Sequence, residues 1–226
     1  MKKAFEILSW LMLIAVIVLL MAFSVKSQKL VDCQKFDVII ASSENHFVND
    51  KVINEILINK NLHPFGKTRT EIAMDEIEKS IANHPSIKKV NAYCDIAGNV
   101  CVKILQRNPI ARVVTTNNSF YIDENGKHMP LSEIYTARTL VITGEVHFTE
   151  KGELFLLAKF IDENPFWKAQ IMQIDIEENG DLILIPRVGS QQIVFGKPVN
   201  IAQKFSKLKL FYEKGISEKG WNNYSH

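Results

Sequence analysis

The sequence predicts an α+β protein carried on an N-terminal membrane helix. Three observations predict it. An uncharged apolar run lies near the N-terminus, helical and strand periodicities alternate in the middle, and Asn-Gly turns separate short β-rich segments in the second half. Of the 226 residues, 46% are hydrophobic and 23% charged, which is the composition of a folded chain rather than a disordered one. The 27 Lys and Arg against 25 acidic residues leave a net charge of +2. No basic run concentrates that charge, so a nucleic-acid binder is not indicated. Three cysteines are too few for a small disulfide scaffold.

From Ile7 to Val25 the chain reads ILSWLMLIAVIVLLMAFSV, without a charge. As a helix this run spans roughly 28 Å, close to the hydrocarbon thickness of a bilayer. It has no polar face, and Ile7, Trp10, Leu13, Val16, Leu20 and Val25 mark its course as a membrane anchor. The rival reading is a cleaved signal peptide. That needs an apolar core of only about 7–15 residues and a small-x-small site, for which Ala22-Phe23-Ser24 is the weak candidate. Residues 1–6 then form a short cytoplasmic tail. The flanking lysines, Lys2 and Lys3 against Lys26, Lys29 and Lys35, barely bias the orientation. An exported body is the expectation, because an anchor followed directly by a domain is a common export signal.

From Phe36 to about Thr115 the order reads strand, helix, helix, strand, strand. FDVIIAS is a short strand. Asn49 can cap a helix running to Leu62, with Val48 and Ile53 as a hydrophobic staple across the cap. Pro64 and Gly66 end it. Thr68 and Glu71 have the spacing of a capping box for a second helix, in which Ala73, Met74, Ile77 and Ile81 form the stripe and His84-Pro85 the stop. Val90, Ala92, Cys94 and Ile96 then alternate with polar residues, Gly98-Asn99 marks a turn, and Val100, Val102 and Ile104 form a return strand continuing through Pro109 to Val114. One three-stranded sheet with two helices on one face would bury all these stripes.

The second half, residues 116–226, reads as a mostly antiparallel β domain with two helices. Ser119 to Ile122 and Leu131 to Ile134 flank the Asn125-Gly126 turn, and Leu140 to Ile142 adds a strand. A helix from about Gly152 to Asn164 turns Leu154, Leu157, Ala158 and Ile161 inward and stops at Pro165. Ile171 to Ile176 and Leu182 to Ile185 form a hairpin around Asn179-Gly180, and Gln192 to Phe195 is a further strand. Asn200 caps a last helix whose Ile201, Phe205, Leu208 and Tyr212 share one face, with Gly215 at its end.

The chemistry-bearing residues point away from catalysis. None of the six histidines sits in a metal-binding repeat, and the ten glycines form no phosphate loop. No serine occupies a nucleophile elbow. Asp123-Glu124-Asn125-Gly126 lacks the other ligands of a calcium loop and reads as a turn. No catalytic residue, metal or cofactor is therefore expected. If the hairpin loop is Ala97-Gly98, Cys94 lies opposite Cys101, near enough for a disulfide in an oxidising compartment. Two free buried cysteines would pack equally well, and a turn slipped by one residue changes the partner. Cys33 is left over.

A family resemblance rests on several of these segments together. MDEIEKSIANHPSIKKVNAYCDIAGNVCVKILQRNPIARVV resembles the second half of a POTRA domain in the bacterial division family FtsQ/DivIB. Its usual E-R-x-P-x-A element here reads Gln106-Arg107-Asn108-Pro109-Ile110-Ala111. NSFYIDENGKHMPL is similar to the start of the family's β domain, LVITG to a following segment, and GDLILIPRVGSQQIVFGKPVNIAQKFSKLKLFY to its closing strand and basic helix. The resemblance implies a POTRA domain over 36–115 and a β domain over 116–226 that lacks the family's terminal strand. It implies a single-pass inner-membrane protein of the division septum, N-terminus cytoplasmic and body periplasmic, with no enzymatic activity. Such a protein bridges early and late division proteins. The partners implied are FtsB/FtsL-like single-span coiled-coil proteins, with FtsK-like and FtsW/FtsI-like proteins beside them. The alternative is a POTRA protein of outer-membrane assembly or secretion. An incomplete sheet would leave Ile193, Val194 and Phe195 as an open edge, with Lys204, Lys207 and Lys209 as a face for an acidic partner.

Overall fold

The structure, a computed structural model, describes residues 10–21, 32–41, 45–144 and 152–216. Residues 10–21 form helix α1, with every side chain exposed, Trp10, Leu13, Val16 and Leu20 among them. Ile7 and Val25, the ends of the expected span, lie outside the described residues, as does the tail of residues 1–6. Among the described residues no helix is long and apolar enough to cross a membrane. The rest of the chain divides into two compact units, one of residues up to Ser42 with Val48–Gln106, the other of Ser43–Phe47 with Arg107–His226.

The first unit follows the order strand, helix, helix, strand, strand: β1 (Phe36–Ala41), α2 (Asp50–Asn59), α3 (Met74–Ala82), β2 (Ile87–Cys94) and β3 (Val100–Gln106). β3 is the central strand, parallel to β1 and antiparallel to β2. Its alternate residues Val100, Val102 and Ile104 point into a core closed by Ile53 and Leu57 of α2 and Ile77 and Ile81 of α3. Each of these side chains contributes about 1.5–3 kcal/mol by leaving water. The α2 stripe exists because its apolar residues recur at helical spacing, and Asn49 starts it by accepting the Val52 N–H at 3.0 Å. Cys33 belongs to this core, its thiol donating to the Lys35 carbonyl at 3.2 Å.

Three local expectations need correction. α2 ends at Asn59 and not Leu62, because Asn61 adopts a left-handed conformation (φ 56°) and the Leu62 N–H turns back to the Leu57 carbonyl at 2.8 Å. Thr68 and Glu71 do bond, the Glu71 carboxylate accepting the Thr68 N–H at 2.9 Å. They close a turn six residues before α3, since Thr68 is engaged in a bridge with Asp32. Cys94 pairs with Val100 and Cys101 with Tyr93, so the two cysteines point to opposite faces of the sheet and both are free. The Asp95 carboxylate causes the one-residue slip: it accepts the Asn99 N–H at 2.8 Å and closes a longer loop than Ala97-Gly98. The Asn99 side-chain amide donates to the same carboxylate at 3.1 Å and, together with the Asn99 N–H, holds its pKa below the ordinary aspartate value.

The second unit is built on a seven-stranded sheet. Its strands are β4 (Pro109–Val114), β5 (Ser119–Asp123), β6 (His128–Met129), β7 (Leu140–Gly144), β8 (Ile171–Ile176), β9 (Leu182–Pro186) and β10 (Ile193–Gly196), in the order β10-β9-β8-β7-β4-β5-β6. The sheet is mixed, with β7 parallel to both β4 and β8 and the other neighbours antiparallel. Two helices, α4 (Glu153–Glu163) and α5 (Pro165–Gln170), lie between β7 and β8 in the chain, and α6 (Ile201–Leu210) follows β10. Leu157, Ala158 and Ile161 of α4, Trp167 of α5 and Phe205 of α6 cover one face of the sheet, over Val113, Ile142, Ile174 and Leu184.

β4 was expected to extend the small sheet, which would put a domain boundary at residue 115. It lies instead inside the large sheet, between β7 and β5, and the boundary falls between Gln106 and Arg107. The chain breaks there because the Arg107 guanidinium turns to Asp123 (2.8 Å) and Pro109 has no N–H to continue the ladder. The return strand of the Asn125-Gly126 hairpin is His128–Met129, not Leu131 to Ile134, since Pro130 stops pairing at once. Pro165 ends α4 as expected but also opens α5, where the Asn164 side chain accepts the N–H groups of Phe166 (3.1 Å) and Trp167 (3.2 Å). Asn200 precedes α6 in a left-handed conformation (φ 53°) and makes no side-chain cap. After α6 the chain widens into a π-helical turn, Phe211–Ile216, that includes Gly215. The question of a terminal strand falls on residues 217–226, outside the described residues.

Candidate docking edge

Among the described residues, β10 borders β9 on one side and no strand on the other. Its sequence, Ile193-Val194-Phe195-Gly196, alternates as a half-buried strand should: Ile193 and Phe195 pack on the core while Val194 is 81% exposed. The register slips between Val194 and Gly196, so Phe195 is the extra residue of a bulge that bends the strand end. At the opposite border of the sheet β6 is only two residues long. β10 is thus the longer of the two rims.

Aromatic packing fixes its position. Phe205 of α6 lies 5.3 Å from the Phe195 ring, 4.9 Å from Phe160 and 4.7 Å from Trp167, centroid to centroid. Contacts of this kind contribute beyond their buried area. Tyr212 closes the cluster, and burial pushes its phenol above the ordinary pKa.

Each residue proposed from the sequence for partner binding has a definite place. Ile193 and Phe195 turn inward and can offer a partner only their backbone. Val194 faces outward. Lys204 does not project to solvent: its ammonium donates to the carbonyls of Phe195 (2.8 Å) and Lys197 (2.7 Å) and lies 4.6 Å over the Phe195 ring. It blocks the end of the rim, a common way of protecting an edge strand. Lys197 anchors the same end to the β8–β9 turn through the Asn179 carbonyl and Asp181. Lys207 and Lys209 are exposed on α6, Lys209 beside Glu213 at 3.8 Å, a surface pair worth little.

Sequence reasoning missed the node that joins its two quoted motifs. Arg107, from QRNPIA, pairs with Asp123, from YIDENG, whose carboxylate is 1% exposed on its side chain. The second Asp123 oxygen accepts the Asn125 and Lys127 N–H groups, both at 2.9 Å, so one carboxylate holds the turn and the start of β4. The signal was present as a basic residue and an acidic residue in two hairpin-flanking motifs, but their pairing is a long-range fact. Among the described residues no three histidine, cysteine or acidic side chains gather as a metal site would require.

Comparison with known proteins agrees with this division of the chain. A model described as POTRA-like domain matches residues 31–105. A model described as FtsQ/DivIB, C-terminal related, matches residues 108–226. No curated protein matches the chain. The two matches meet where the structure changes units, at Gln106 and Arg107. With its larger sheet and helices α4, α5 and α6 inside a match covering more than half its length, the chain belongs to the FtsQ/DivIB C-terminal related family, and it carries a POTRA-like domain ahead of that region.

Proposed function

We propose that this division-associated POTRA protein is non-enzymatic and bridges early and late division proteins by accepting a strand from a partner along β10. The observation that carries the reading is the rim of β10 that no described strand covers, with Val194 outward and only the Phe195 end closed by Lys204. Unpaired backbone groups on such a rim give affinity to an extended peptide, and pockets for alternate side chains give it specificity. Lys207 and Lys209, exposed on the helix that follows β10, add positive charge and favour an acidic partner segment. The exposed apolar side chains of α1 and the uncharged run around it support a single-span anchor. On this reading the N-terminus is cytoplasmic, the two units lie in the periplasm, and the protein gathers at the septum with FtsB/FtsL-like coiled-coil proteins, and with FtsK-like and FtsW/FtsI-like ones.

The test is photo-cross-linking in cells from a benzophenone amino acid placed at Val194, with a second placed at Met172 as a control away from the rim. Capture of small single-span coiled-coil proteins at Val194 alone, with filamentous cells on depletion, is the expected result. Capture of outer-membrane barrels, with loss of those barrels on depletion, would overturn it in favour of a role in outer-membrane assembly.

A further inference from the structure

A cavity of about 320 Å³ opens within the second unit between α4, α5 and the β4–β7 region of the sheet. Its apolar wall is formed by Ile110, Ile161 and Ile171, all buried. Its polar rim is unbalanced in charge. Arg138, Lys168 and Arg187 line it against one carboxylate, Asp162, and that carboxylate is occupied by Lys168 at 2.7 Å. Arg187 spends only its Nε, on the Ala169 carbonyl at 3.2 Å. The Arg138 guanidinium bonds to nothing among the described residues.

The hydrogen-bonding inventory leans the same way. Thr139 lines the cavity, and its hydroxyl oxygen is shut off from solvent and has no hydrogen-bond partner. Buried hydroxyls are rarely left so, and each such case asks for a missing partner. Two side-chain acceptors of the lining are already in use: the Asn108 Oδ1 takes the Asn45 amide at 2.7 Å, and the Asn45 Oδ1 takes the Tyr135 hydroxyl at 3.4 Å. What remains is a set of donors, two of them guanidinium forks suited to bidentate recognition, above a greasy wall.

We propose that this cavity binds a carboxylate carried on an apolar body, as a peptide segment with an acidic side chain or a chain terminus beside an apolar residue presents it. The cavity volume suits a ligand of dipeptide size. The carboxylate sits between Arg138 and Arg187 with Thr139 donating to it, and the apolar group lies on Ile110, Ile161 and Ile171. A bare phosphate would leave that wall uncovered. The site does not involve β10, so a failure of strand addition there leaves it standing, and the reverse also holds.

The test is isothermal titration calorimetry on the full chain in detergent. Two acids are compared with their uncharged twins: acetyl-Leu-Glu-Leu-amide with its Gln form, and acetyl-Leu-Leu free acid with its amide. At least one acid binds tenfold or more tightly than its twin, and which one identifies the source as a side chain or a terminus. R138Q and R187Q each weaken that acid fivefold or more, and T139V weakens it several-fold, with melting temperature unchanged for R138Q, whose guanidinium has no internal partner. Equal binding of acid and twin, acid binding untouched by R138Q and R187Q, or inorganic phosphate binding as tightly as the better acid would each overturn the proposal.

Discussion

Arg107 and Asp123 illustrate what a single pair does here. Arg107→Gln leaves the buried Asp123 carboxylate with its two turn N–H donors but without its cation. Removing one partner of such a pair costs about 3 kcal/mol. We expect urea unfolding of the second unit to show that loss, and Asp123→Asn in the same chain to recover part of it, because the two sites are coupled. Two histidines of the first unit give a pH signature. Burial lowers the pKa of His63 and His84 below the ordinary 6.5, with Lys67 adding to the effect at His63. Both rings also use a nitrogen as acceptor, His63 from the Phe65 N–H and His84 from the Ser86 N–H, which the protonated form cannot do. With the folded pKa below the unfolded one, the unfolded chain binds more protons between the two values. Stability is therefore full above about pH 6.5 and is lost as pH falls through the lowered folded values. Thermal melts of the first unit should move down on acidification below that point, and the double change His63→Gln and His84→Gln should flatten the trend.

Elements were legible in proportion to how local their causes are. The stripes of α2, α3 and α4 follow from helical spacing, and the Asn-Gly turns place two hairpins, because each signal lies within a dozen residues. The slip at Cys94 and Cys101 comes from one side chain, Asp95, choosing the Asn99 N–H, a choice the alternation pattern cannot report. The alternation of β3 breaks at Gln106-Arg107-Asn108-Pro109, and the inward set moves from Val100, Val102 and Ile104 to Ala111 and Val113; that break is legible, but nothing local says that β4 joins a different sheet. The cavity lining comes from the loop before β7, α5 and the end of β9, which no motif could join. The six-residue α5 depends on its cap, and Asn164→Ala should cost about 1 kcal/mol in the unfolding free energy of the second unit. Gly144 closes β7 at φ 95°, where an added Cβ would fall 2.0 Å from the Ile176 carbonyl oxygen. Gly144→Ala therefore strains the β7–β8 pairing at the centre of the sheet, and we expect a loss on the order of 2–3 kcal/mol, read by the same urea titration.

For the whole molecule, each unit has a core closed by its own helices. Scanning calorimetry should resolve two transitions, with Gly144→Ala lowering only one of them; a single transition lowered as a whole would mean that the units unfold together. The parallel pairing of β1 with β3 also has a temporal side. The two partners stand roughly sixty residues apart in the chain, a long loop to close, and long-range pairings of this kind are slow to form. Synthesis delivers the N-terminal partner first, at about 5–20 residues per second. For several seconds the nascent chain holds α2 and α3 with β1 waiting, both of its rims bare. A ribosome stalled before Val100 would release the chain in that condition, and it is then, rather than in the finished protein, that proteases and strand exchange between neighbouring copies find it most open.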